Sequence, residues 1–210
     1  MAGKSGISQA RTRLGVEPVK RLHDETVAPI ASKSTRGAWY REWRLASLDG
    51  STLDVADTKE NEGAFGRPGA SRGSSAYPRI RFVSLVENGT HVLFGSRMGD
   101  YQTGEITLAK ELAAPMRSGL GDRERTGRTQ DPENRGGSKI VLRSKTPELV
   151  RQEFYGLMMA HFAVRGLMHE AALKADIDPD ELSFVHSVRV VRRKLPLFVA
   201  IPPSEAESVS

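Results

Sequence analysis

Cysteine is absent from the 210 residues. That excludes a disulfide framework and any thiolate metal site. No run approaches the ~18 apolar residues of a membrane-spanning helix. The opening MAGKSGISQARTR lacks the apolar stretch of a secretory signal. A cytoplasmic protein is expected, nucleoid-associated if it binds DNA. Large apolar side chains are sparse, with 38% hydrophobic and 6% aromatic residues. Glycine (20) and proline (11) are frequent, so much of the chain reads as loop. The length suits one ordinary domain or two small ones.

Charge is present and unevenly spread. Residues 1–44 hold nine Lys/Arg against four Asp/Glu, residues 45–138 twelve against thirteen, and residues 139–200 ten against seven. A near-neutral middle between basic ends suits a polyanion such as DNA. It equally suits a soluble basic protein with solvated charges.

Hydrophobic periodicity and turn residues outline the elements. Two short helices are expected over 8–28, divided at Gly15, with Ser8 as a cap and Val19, Leu22, Val27 and Ile30 as an apolar stripe. They read as packing helices more readily than as a helix-turn-helix. Residues 43–49 read as a first strand, and 79–87 and 90–98 as a hairpin around Asn88-Gly89. Between them, KENEGAFGRPGASRGSSAYP (59–78) reads as a long loop. Thr103 is expected to cap a helix over 104–114 that places Ile106, Leu108, Ala109 and Leu112 on one side. RSGLGDRERTGRTQDPENRGGS (117–138) has Leu120 as its sole large apolar residue and can bury almost nothing. Order resumes with a short strand in SKIVLRSK. Thr146-Pro147-Glu148 then opens a helix over 147–173 with a seam of Val150, Phe154, Leu157, His161, Val164, Met168 and Ala171. A second helix over 180–194 starts from Asp178 and Glu181 as a capping box, carries Leu182, Val185, Val188 and Val191, and ends in Arg189, Arg192, Arg193 and Lys194.

Asp49, with Asp54 and Asp57 after it, is the main candidate for chemistry. A carboxylate fixed at the end of a buried strand suits Mg²⁺, which takes one or two carboxylates plus water and phosphate. The residues alone favour the plainer reading, a tight turn at Asp49-Gly50 with Asp54 and Asp57 capping or solvating the next segment. His161 reads as a core histidine. His169, eight residues on, is not spaced to share a metal with it. The glycines of 63–73 do not join a strand to a helix as a phosphate loop does. The cluster Arg189, Arg192, Arg193, Lys194 suits phosphate contacts and also a helix C-terminus.

Three long segments in order carry a resemblance. They are YREWRLASLDGSTLDVADTKENEGAFGRPG, YPRIRFVSLVENGTHVLFGSRMGDYQTGE, and IVLRSKTPELVRQEFYGLMMAHFAVRGLMHEAA with DPDELSFVHSVRVVRRKL. Together they resemble insertion-sequence transposases of the DDE class, in the group named for insertion element four. The resemblance implies an RNase H-like α/β fold and three acidic residues that hold two Mg²⁺ ions for DNA strand transfer. Asp49 matches the first of them, as catalytic residue and metal ligand; Asp54 and Asp57 match none. In the family a fourth strand ends in a second aspartate, and a later helix carries a glutamate within a Tyr–Arg–Glu–Lys signature. Residues 117–138 stand in their place. Their acids, Asp122, Glu124, Asp131 and Glu133, have no strand or helix around them, and Glu153 lacks the signature. An internal deletion is the expected account, and Mg²⁺ is not expected to be functionally bound.

The expected organisation is a shortened N-terminal helical segment (1–36), a partial RNase H-like core (37–116), a disordered junction (117–138), a C-terminal helical part (139–200) and a tail (201–210). The core is expected to be a small antiparallel three-stranded sheet with flanking helices and an unpaired edge. The resemblance implies DNA at transposon ends as partner, and an intact transposase or a second copy as a further one. Whether the chain is an enzyme stays open. The alternative is a DNA-binding or dimerising inhibitor of an intact transposase.

Overall fold

The computed structural model describes residues 4–69, 77–114 and 140–198. The junction expected over 117–138 and the tail from 201 lie outside them. Two helices open the chain, α1 (Lys4–Leu14) and α2 (Glu17–Thr26), hinged at Gly15, whose φ of 73° favours glycine. Helix α1 begins before Ser8, so Ser8 is not its cap; its carbonyl accepts the Thr12 hydroxyl instead. The buried residue of α2 is His23, not Leu22, and its ring meets Tyr155 at 5.1 Å.

A small hairpin comes next, β1 (Trp39–Tyr40) with β2 (Trp43–Arg44), and then β3 (Ala46–Val55). This corrects the strand expected over 43–49. The chain does not turn at Asp49-Gly50: pairing with β4 (Arg79–Glu87) runs unbroken from Ala46↔Glu87 to Asp54↔Arg79. The backbone at Gly50 is extended, and its nearest crowding comes from a flexible side chain. A Cβ there would lie 2.9 Å from the Glu105 carboxyl carbon.

The long loop expected over 59–78 is also corrected, because α3 (Lys59–Phe65) begins it. Thr58 caps that helix by accepting the Asn61 N–H at 3.2 Å. Strand β5 (Val92–Asp100) starts two residues later than expected. The Asn-Gly turn widens through Thr90 and His91, since the Thr90 hydroxyl is held by Glu87 at 2.7 Å and His91 adopts φ 55°. Helix α4 (Glu105–Ala113) has Gly104, not Thr103, at its cap; Thr103 donates to Asp100. Ile106 leaves the apolar side and is 72% exposed.

The sheet is four-stranded and mixed, in the order β5-β4-β3-β6. The antiparallel three-stranded meander is present. Of the two strands that could carry the expected open edge, the first and the third, β3 is partly covered by β6 (Val141–Leu142), which pairs in parallel with Asp54 and Val55, and β5 is an edge. Helix α5 (Pro147–Ala175) packs on one face. Val55, Ile80, Phe82, Leu142, Val150, Phe154 and Met158 form that core. Helix α4 covers the other face with Leu108 and Leu112 against Val83 and Leu85. The α5 seam runs through Val150, Phe154, Tyr155, Met158, Met168 and Ala172; Leu157, His161 and Val164 are half-buried and Ala171 is exposed. The capping box of Asp178 and Glu181 is present, but it opens a short 3-10 turn. Helix α6 (Phe184–Phe198) comes after it and packs on α5, with Val185 exposed.

Candidate nucleic-acid interface and the surroundings of Asp49

Asp49 lies inside β3, half-buried, opposite Ser84 of β4. Directly paired residues share a face, and so do residues two apart along a strand. Asp49 therefore lies on the side of Leu53 and Val55, the side that meets α5. Ser84 in turn pairs with Ser96 of β5, and their hydroxyls are 2.7 Å apart. An aspartate and two serines make a polar row across three strands.

The two later aspartates have structural partners. Asp54 is 1% exposed and accepts Arg79 Nε at 2.7 Å. Asp57 accepts Arg67 Nη2 at 2.6 Å, and the same guanidinium also grips both oxygens of Glu62. That grip holds the Glu62 carboxyl below its usual range. Removing either aspartate would leave an arginine short of a partner, so the row of carboxylates after Asp49 fastens the exit of β3.

Glu153 accepts the N–H groups of Arg143 and Ser144 at 3.0 and 2.9 Å. Asn61 donates to the carbonyls of Ala56 and Ser144, both at 3.0 Å. These two side chains fix the short strand β6 in place. His169 meets the Thr35 hydroxyl at 2.8 Å. His161 faces Phe184 instead, and burial, with Arg165 beside it, pushes its ring down to about 4. The two histidines do not converge.

Arg189, Arg192, Arg193 and Lys194 are all exposed on α6. The first three are spaced by three and four residues and share one helix face. Phe184, Ser187, Val188 and Val191 occupy the opposite side and are less exposed. Among the described residues none of the four cations forms an ion pair. Such a helix offers guanidinium groups to phosphate without first breaking an internal contact.

The hairpin at 39–44 and its anchor escape a reading by hydrophobic pattern. Glu87 is fully buried, and its carboxylate accepts from Ile30 N, Ala31 N, the Thr90 hydroxyl and Arg44. The available signal is alternation in WYREWR around two polar residues, without the Asn-Gly pair that marks a hairpin.

A stretch of 108 residues is 32% identical to "Transposase InsG for insertion sequence element IS4" from Escherichia coli (strain K12). The chain is related to insertion-element transposases. The match takes in 51% of this chain and 24% of that relative. "Putative transposase InsZ" of the same strain is 28% identical over 118 residues, 55% of this chain and 39% of the relative. The chain thus spans well under half the length of the curated relatives it matches. No family model matches, and no solved structure does.

The Mg²⁺ pair implied by the resemblance needs several carboxylates around one point. Among the described residues no three His, Asp or Glu side chains converge in that way. The strand neighbours in the row of Asp49 are serines. The described residues do not fit a two-ion site. No described helix is long and apolar enough to cross a membrane.

Proposed function

We propose that this chain is a transposase-family protein that holds DNA through its basic ends and lacks the full acidic set for strand transfer. The observation that carries this reading lies at the end of β6. The resemblance calls for a fourth strand that ends in an aspartate, and for a parallel neighbour at the first or third strand. β6 takes the parallel position beside β3, and the residues after it are Arg143 and Ser144. Their N–H groups bind Glu153, so that carboxylate caps backbone. The same parallel pairing supports the sheet as a partial RNase H-like one, with Asp49 in the role of the first acidic residue. The exposed Arg189, Arg192, Arg193 and Lys194 support phosphate contact. Pairing with an intact transposase, as an inhibitor, is a second reading favoured by the exposed Val185 and Leu195 on α6.

Binding to labelled duplex DNA across a salt series tests the proposal. Phosphate contacts give a log–log slope of roughly −0.9 per contact. The triple substitution Arg189→Ala, Arg192→Ala, Arg193→Ala should weaken binding and flatten the slope by about 2–3. Binding that ignores salt, or a slope untouched by the substitutions, would refute the assignment of α6.

A further inference from the structure

The hairpin β1–β2 has two unlike faces. On one face everything is tied down. The Trp39 indole donates to Ser32 O at 2.7 Å, the Arg44 guanidinium stacks on the Trp39 ring at 4.6 Å, and Arg44 ends on the buried Glu87. The base of the hairpin is closed by Leu45 N donating to Ala38 O at 2.9 Å, with Ala38 fully buried. On the other face Tyr40 and Trp43 pair directly across the strands, and they are 59% and 61% exposed. Arg41, at the turn, holds its guanidinium 5.5 Å from the Tyr40 ring centre and adopts φ 56°. A non-glycine residue in that region is uncommon and needs the surrounding structure to hold it.

Two large rings are thus displayed on a rigid clip where burial would ordinarily hide them. The surroundings are basic: Lys33, Arg36 and Arg41 are exposed, against Glu42 as the acid of the same stretch. Exposed aromatics among cations are the requirement for binding unpaired bases. Rings stack on base faces while the cations meet the phosphates. A duplex hides its base faces and offers only phosphates to such a clip. We infer that Tyr40 and Trp43 form a stacking platform for unpaired nucleotides of DNA. The inference rests on DNA being the partner of this chain.

The test uses the full chain and three probes: single-stranded oligothymidylate, duplex DNA, and heparin as a polyanion without bases. Trp39→Phe leaves Trp43 as the sole tryptophan and keeps a ring for Arg44. In that background oligothymidylate should quench the Trp43 emission, and heparin should not. Tyr40→Ala with Trp43→Ala should weaken single-strand binding roughly tenfold or more, while duplex binding and the unfolding midpoint stay near their original values. Tyr40→Phe with Trp43→Phe should restore most of the single-strand affinity, because the rings remain. Equal weakening on single strand and duplex, or quenching by heparin, overturns the platform and leaves DNA binding standing. An unchanged single-strand affinity beside a loss of dimer on a sizing column assigns the rings to a second copy and also overturns it. Failure of the unsubstituted protein to bind any DNA overturns both this inference and the reading beneath it.

Discussion

Glu87→Ala should remove a large part of the stability of the molecule. The carboxylate is fully buried and serves four donors: Ile30 N and Ala31 N at 2.9 Å, the Thr90 hydroxyl at 2.7 Å, and the Arg44 guanidinium. Alanine leaves the buried Ala31 N–H and Thr90 hydroxyl without an acceptor. A buried orphan of this kind costs about 1–3 kcal/mol. Arg44 is 32% exposed at its side chain and can turn to water, so its loss is smaller than that of a sealed charge. Two such orphans, with the lost Arg44 contact added, put the cost at about 3–5 kcal/mol. Domains hold ~5–15 kcal/mol in total, so the variant should unfold at a much lower urea concentration. Arg44→Ala should cost less, because the carboxylate then keeps its three other donors. Urea unfolding monitored by tryptophan emission and far-ultraviolet dichroism measures both. A loss under about 1 kcal/mol for Glu87→Ala would mean that water replaces the carboxylate, and the argument from burial would fail.

The remaining expectations concern acid, glycine and activity. The His161 ring falls from 6.5 to about 4, through burial first and Arg165 second. Between those values the unfolded chain takes up a proton that the folded chain refuses. Stability should therefore decline as pH falls from about 6.5 towards 4, by up to about 3 kcal/mol from this group, and His161→Leu should flatten that decline. Gly89 has φ 85°, and an added Cβ would stand 2.2 Å from the Arg36 carbonyl oxygen. Gly89→Ala should cost more than about 2 kcal/mol, whereas Gly50→Ala, which meets only the mobile end of Glu105, should cost under about 1. Thermal melts of the two variants should separate in that order. With Mg²⁺ or Mn²⁺ the purified protein should show no DNA strand cleavage above background, and cleavage that Asp49→Asn abolishes would refute the proposed lack of an acidic set.

The parts of the fold legible in the sequence are those written in large apolar residues. RIRFVSLVE lies in a central strand, and its alternation and β-branched content show it directly. Helix α5 is legible for the same reason, with Thr146 and Pro147 marking its start. Its expected seam is misaligned late in the helix, because over eight turns 3.6-residue spacing drifts from a four-and-three pattern and Ala172 replaces Ala171. Helix α3 escapes the pattern since KENEGAF buries little beyond Asn61 and Phe65, and its cap Thr58 is an ordinary threonine until Asn61 is seen against it. Asp49-Gly50 looks like a turn because the pair usually makes one. What overrides the local preference is nine residues of ladder with β4, which is non-local. The pairing of Asp54 with Arg79 and of Glu87 with Arg44 is invisible for that reason too. Such partners are fixed by register, which a single strand does not record. The cations of α6 are legible as helical, but the cap at Asp178 and Glu181 suggests a helix over 180–194 that ends in them, whereas α6 runs from Phe184 to Phe198.

Gln152 donates to Arg11 O at 2.9 Å and to Gly15 O at 2.7 Å, while His23 rests against Tyr155. The surface on which α1 and α2 settle therefore belongs to a helix made about 130 residues later. At synthesis rates of roughly 5–20 residues per second, those first helices emerge some 7–26 seconds before their seat exists. Through that interval they have no tertiary partner on α5 and, at ten or eleven residues each, little helical stability of their own. The start of the chain should thus be the last part to become resistant to protease during translation, and the timing of its protection should track the release of α5.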